Sequence, residues 1–239
     1  MVYLILGLAS FCAAVISGSA GFGGSLLLLP AVTACMGAEA AVPALTLAQL
    51  IGNLARVSTG WKEIKWSAVG WFCLTAIPFT AMGAFGFSVM PKTMANRVVG
   101  AGLILLVVLK LAGKMQLKGN RATLLVGGGI TGGLSGLVGS GGPIGAAVFL
   151  SLDLTPVAYI ASEAATAVAM HVLKTVIYSK FAGLTPRTYT VGLFMGVVMA
   201  AGTYAARHVI RNMEKGRYQK YVAQLLLAVG VYMLLFGGS

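Results

Sequence analysis

Ser17-Gly18-Ser19-Ala20-Gly21-Phe22-Gly23-Gly24 and Ser135-Gly136-Leu137-Val138-Gly139-Ser140-Gly141-Gly142 are two copies of one glycine cluster, their shared positions offset by 118 residues. Each copy interrupts a long uncharged apolar stretch. No charge occurs from Met1 to Ala38 or from Ala122 to Leu152, and either run exceeds the roughly 20 apolar residues that span a bilayer as a helix. Hydrocarbon offers no water to free backbone groups, so a broken helix survives there only where it is buried in protein or lines a cavity. Two broken segments at matching places in two halves are the strongest sequence pointer to a transporter's binding site.

Composition places the chain in the membrane. Of its 239 residues 58% are hydrophobic and 9% charged, against about 25% charged in an ordinary soluble domain. The first apolar run lacks a basic leader and stays apolar beyond Gly24, so it is expected to be a resident helix and not a cleaved signal. Cys12, Cys35 and Cys73 lie in apolar segments without a C-x-x-C pair and read as small interior residues. The net charge of +12 sits mainly in loops beside apolar segments. That is the pattern of a membrane protein's basic face, not of a nucleic-acid binder.

The predicted elements of the first half are 2–17, the break, 25–36, 40–59, 66–88 and 97–113. Those of the second are 122–135, the break, 143–152, 156–180, 188–207 and 219–236. At the same offset Asn53 falls on His171, Arg56 on Lys174 and Lys62 on Lys180, while Gly83 falls on Gly202 with one inserted residue. A duplication explains these matches, with repeats at 1–118 and 119–239 in a single membrane domain. If each break only kinks a spanning helix, the basic loops divide almost evenly between the two faces. If each break returns the chain as a re-entrant hairpin, loops 60–65, 110–121 and 207–220 share one face with eleven basic residues against four on the other. Segments 25–36 and 143–152 are also too short to cross about 30 Å of hydrocarbon. The expected fold is therefore an all-α polytopic membrane protein of two homologous, inverted halves, each a Gly-rich hairpin plus three spanning helices, with the basic face cytoplasmic and both termini outside.

Opposed hairpins bring Gly21, Phe22, Gly23, Gly24 and Ser25 to face Gly139, Ser140, Gly141 and Gly142 near the midplane. Half-helices starting near Ser25 and Pro143 present backbone N–H groups to an anion. A helix end contributes roughly 0.3 to 1 kcal/mol, up to about 2 when partly buried. Two ends do not offset the dehydration of an oxyanion, so side chains are expected to help. Thr46, Gln49, Asn53 and Arg56 share one helical face, and Glu163, Thr166, His171 and Lys174 form a looser stripe in the second half. Gln49, Asn53, Arg56, His171 and Lys174 are candidate substrate contacts. Glu163 and His171 are candidates for proton coupling, because ionisable groups within a span are costly and imidazole changes charge near neutral pH. The plainer reading of Arg56, Lys62 and Lys180 is snorkelling from a helix end. Gly128, Gly132 and Gly136, spaced by four, read as helix-packing glycines.

The paired motifs Gly21-Phe22-Gly23-Gly24 with Leu29-Pro30, and Gly139-Ser140-Gly141-Gly142-Pro143, resemble the duplicated signature of the TauE/SafE family of sulfite exporters over essentially the whole chain. The resemblance implies secondary transport of sulfite, an organosulfonate or a related small sulfur anion, commonly outward across the bacterial cytoplasmic membrane. One departure is Gly-Gly-Ser in the first copy where the second has Gly-Gly-Pro. Expected partners are a small anion and the lipid bilayer, with no nucleic acid and no cofactor or metal; a homodimer is one assembly open to such a chain. No phosphate-loop motif is present, and Gly127-Gly128-Gly129-Ile130-Thr131-Gly132 matches a dinucleotide pattern only formally, lacking a strand before it. Five acids and two histidines supply no evident nucleophile and base pair, so an enzyme is not expected. The rival from another class is an uncoupled anion channel or an accessory membrane subunit.

Overall fold

A computed structural model describes residues 2–20, 24–91, 94, 117–182, 184–210, 214, 217 and 224. Gly21, Phe22 and Gly23, and the helices expected at 97–113 and 219–236, therefore fall outside or almost wholly outside the described residues. Eight α-helices are described: α1 (Val2–Ala20), α2 (Ser25–Met36), α3 (Ala38–Gly60), α4 (Trp66–Ser88), α5 (Arg121–Val138), α6 (Gly142–Leu150), α7 (Pro156–Phe181) and α8 (Pro186–Ile210). No strand occurs among the described residues.

Helices α3, α4, α7 and α8 are long and apolar enough to cross a membrane, which makes the chain a multi-pass membrane protein. Helix α3 is the central one: 72% of its most apolar window is buried, against 33% for α4. Leu4 and Leu8 on α1, Leu74 and Met82 on α4, Val126 on α5, Val176 on α7 and Val197 on α8 are exposed outward. Apolar faces of this extent fit a lipid surround.

Local chemistry sets the helix ends. Asn120 caps α5 by accepting from the Thr123 N–H at 2.9 Å, and Thr155 caps α7 by accepting from the Ala158 N–H at 3.2 Å, with Pro156 at a first-turn position where no N–H is needed. Helix α5 ends at Gly139, whose φ of 79° is the left-handed conformation that glycine adopts without strain. Helices α2 and α6 are short, 12 and 9 residues. They reach only about 18 and 14 Å.

Packing between helices rests on small residues, which let backbones approach closely where lipid supplies no hydrophobic drive. The stripe Gly128, Gly132 and Gly136 of α5 lies on α4; a Cβ at Gly128 or Gly132 would overlap the carbonyl oxygen of Phe72 or Ala76. Gly83 of α4 presses back, a Cβ there falling 2.6 Å from the Gly133 oxygen. Thr75 Oγ1 donates to the Leu125 oxygen at 2.6 Å across the same seam. Helix α8 meets α1 in the same manner: a Cβ at Gly202 would sit 2.8 Å from both Ala14 Cβ and the Phe11 oxygen.

Helices α3 and α7 lie against each other in opposite directions. The end of α3 meets the start of α7, with Gly60 against Val157 and Ala161, the Lys65 N–H donating to Ser162 Oγ at 2.8 Å, and Thr155 Oγ1 donating to Glu63 Oε2 at 3.2 Å. Gly119, just before α5, packs on Ser151 and Leu152, just after α6. Trp61 and Trp66 form an edge-to-face pair at 5.3 Å beside this end, and the Arg121 guanidinium lies 5.1 Å from the Trp71 ring. Aromatic and basic side chains together are the usual furniture of a membrane–water interface.

Candidate functional site

The described part of the first break abuts α3. Ser25 opens α2, and its Oγ lies 3.2 Å from Ser140 Oγ of the second break, so the two glycine clusters meet. The Gln49 side-chain carbonyl, in the amide orientation that satisfies its neighbours, accepts from the Ser25 N–H at 2.7 Å and the Gly24 N–H at 3.3 Å. These are first-turn donors that have no partner within their own helix. One turn on, Asn53 Nδ2 donates to the Gln49 backbone oxygen at 2.8 Å, and Asn53 Oδ1 accepts from Arg56 Nη2. Arg56 Nη1 donates to Glu163 Oε2 at 3.0 Å, with both side chains almost fully buried. Glu163 of α7 is thus joined through Arg56, Asn53 and Gln49 to the amides of the first break.

The side of the second break is built from α5 and α7. Lys174 has no exposed surface, and its Nζ donates to the Ser135 oxygen at 3.1 Å and to Ser135 Oγ at 2.9 Å. Tyr178 Oη donates to the Gly136 oxygen at 2.6 Å. Both side chains satisfy carbonyls at the C-terminus of α5, where a cation is favoured by the helix dipole. Arg56 is therefore not a snorkelling side chain, although Lys62 and Lys180, which share that plain reading, are exposed.

Between the breaks lies a small cavity of about 20 Å³. Ser25, Gln49, Asn53, Arg56, Gly139, Gly141, Gly142, Glu163, Thr166 and His171 line it, together with Phe72, Thr131, Ser135, Gly145, Ala167 and Met170. Space of this size holds about one water. Thr131 Oγ1 and His171 Nδ1, both lining it and both buried, have no hydrogen-bond partner among the described residues. Gly141 could not carry a side chain here, because a Cβ would overlap the Thr131 oxygen.

Of the residues singled out by sequence, most border this cavity. Gly24 and Ser140 touch it through their partners Gln49 and Ser25, Lys174 stands behind Ser135, and Thr46 turns back to the Val42 oxygen at 2.9 Å. Thr131, Ser135 and Phe72 were not legible as lining residues. Thr131 and Ser135 are four apart on the helix entering the second break, a spacing that puts both hydroxyls on one face and was the available signal. Among the described residues no three His, Cys, Asp or Glu side chains gather as a metal set.

The model of the family described as sulfite exporter TauE/SafE matches residues 6–233. The chain belongs to the TauE/SafE family. Neither the curated proteins nor the solved structures searched gave a match. TauE/SafE membership makes the chain a membrane transport protein and implies export of sulfite or a related sulfur anion. A small anionic substrate and a lipid surround follow from the same membership.

Proposed function

We propose that this chain is a secondary transporter that moves sulfite or an organosulfonate outward across the bacterial cytoplasmic membrane, coupled to a proton or ion gradient, and holds the anion between its two glycine breaks. The observation that carries the reading is an imbalance of buried charge. Arg56 and Lys174 are both buried, yet the only buried carboxylate beside them among the described residues is Glu163, which is bound to Arg56. A buried charge without a counter-charge costs several kcal/mol. The C-terminal dipole of α5 offers Lys174 only about half an elementary charge. A bound anion supplies the remainder.

The substrate contacts in this reading are the backbone of Gly21 to Gly24 and Gly139 to Gly142, with Phe22, Ser25, Gln49, Asn53, Arg56, Ser140 and His171, while Lys174 acts on the anion through Ser135, to which it donates. In the conformation described, the Gln49 carbonyl occupies the α2 amides that an oxyanion oxygen would take. The cavity has room for about one water, less than sulfite needs, which agrees with a closed stage of an alternating-access cycle. Glu163 and His171 are the coupling groups, since Glu163 must exchange Arg56 with the arriving anion and His171 faces the same space.

The halves 1–118 and 119–239 act as inverted repeats. Support comes from the antiparallel α3 and α7, and from the repeated seams of α4 with α5 and α8 with α1. The contact of Gly119 with Ser151 and Leu152 supports a hairpin, because it brings the end of α6 back beside the start of α5. The test is a stabilisation screen of purified protein with sulfite, thiosulfate, sulfoacetate and taurine-derived anions. A sulfur oxyanion that raises the melting temperature of wild type but not of Lys174→Gln supports the site; equal responses of the two proteins reject it.

A further inference from the structure

A second, larger cavity of about 230 Å³ meets the smaller one at Arg56, the lining residue that the two share. Its lining includes Thr59 near the end of α3, Glu63 in the turn that follows, Thr203 and Arg207 on α8, and Gly18 in the first glycine cluster. Glu63 and Arg207 are exposed and form the rim, whereas Arg56 is buried and forms the floor, four residues before the end of α3. The rim is therefore open at the membrane face that carries loop 61–65, and a path of roughly one helical turn leads from there to the Arg56–Glu163 pair.

We propose that this vestibule is a loading station for small oxyanions, with Arg207 as its outer contact and Arg56 as the group that passes the anion to the inner site. The inference rests on the anion-transport reading above. Among the described lining residues the charged groups are Arg56, Glu63 and Arg207, and Arg56 is already held by Glu163, so the attraction of an anion to the mouth rests on Arg207 and is opposed by Glu63. A cation at the entrance of a recess raises the rate at which the opposite ion enters. Arginine forks suit oxyanions through paired N–H donors. The room is ample for a sulfite or a short sulfonate that keeps part of its water, which the inner cavity could not hold. At the floor the anion reaches the Arg56 guanidinium, whose Nη1 is held by Glu163 at 3.0 Å. Competition for that one guanidinium makes the ion pair the door between the two cavities.

The test uses two exposed positions, so that folding is not at stake, and opposite expected signs. With sulfite supplied on the vestibule face of proteoliposomes, Arg207→Gln raises KM about three- to tenfold and flattens its salt dependence, while Glu63→Gln lowers KM. KM from the other face stays unchanged in both. Equal shifts from both faces, or none, overturn the station. A readout independent of transport is the modification of Thr59→Cys by methanethiosulfonates. The ethylsulfonate reagent reacts faster than the trimethylammonium reagent, and Arg207→Gln removes that preference. A preference present in protein that moves no anion retains the vestibule and rejects the transport reading; no preference rejects the vestibule.

Discussion

Replacing Glu163 with Gln removes the one buried negative charge at the site among the described residues and leaves Arg56 in place. The pair is 3.0 Å long, and the two side chains are 3% and 4% exposed, so solvent cannot take over the lost charge. Breaking such a pair by removing one partner costs about 3–5 kcal/mol. The Gln amide oxygen still accepts from the guanidinium, which puts the loss at about 3 kcal/mol. For a chain of this size the melting temperature is then expected to fall by roughly 6–12 °C. The diagnostic part is the response to substrate. In wild type an anion must draw Arg56 from Glu163, whereas in Glu163→Gln it meets a guanidinium with no competing charge. Sulfite or the active sulfonate is expected to bind the variant about tenfold more tightly and restore most of the lost stability. Thermal unfolding of purified protein across an anion titration measures both effects. A variant as stable as wild type, or one stabilised by the anion no more than wild type, refutes the competition for Arg56.

Three further outcomes are expected. Gln49→Leu strips the Ser25 and Gly24 N–H groups of their acceptor; it destabilises by about 1–3 kcal/mol, and an oxyanion recovers more stability in it than in wild type, as read by melting curves with and without anion. Gly139→Ala forces a side chain into a φ of 79° and against Val42 Cγ1 at 3.0 Å; it lowers stability by about 1–2 kcal/mol by the same measurement. Lys118→Cys, in the exposed loop before α5, is modified by an impermeant thiol reagent only from the cytoplasmic side, and labelling only from outside reverses the orientation.

The membrane class was legible from composition, and the ends of α1 and α5 from glycine clusters that interrupt uncharged apolar runs and recur at an offset of 118 residues. The polar face of α3 was legible from its spacing alone, and Gln49, Asn53 and Arg56 line one cavity. The bond between Arg56 and Glu163 was not, since the partners are 107 positions apart and each has a reading of its own. Their pairing follows from burial, because a lone acid and a lone base in different spans seldom stay unpaired in hydrocarbon. Thr131 and Ser135 share one helical face by their spacing of four, but two hydroxyls within a glycine stripe are a weak signal beside the glycines themselves. The packing role of Gly128, Gly132 and Gly136 was plain in their spacing, as small residues four apart form one seam.

Flux in proteoliposomes tests the central claim most directly. With purified protein and an imposed proton or ion gradient, labelled sulfite or a sulfonate is expected to move saturably and against its own gradient, and Lys174→Gln is expected to abolish that movement. Passive conductance that ignores the gradient would contradict the account in favour of a channel. The absence of any anion movement would leave only an accessory role.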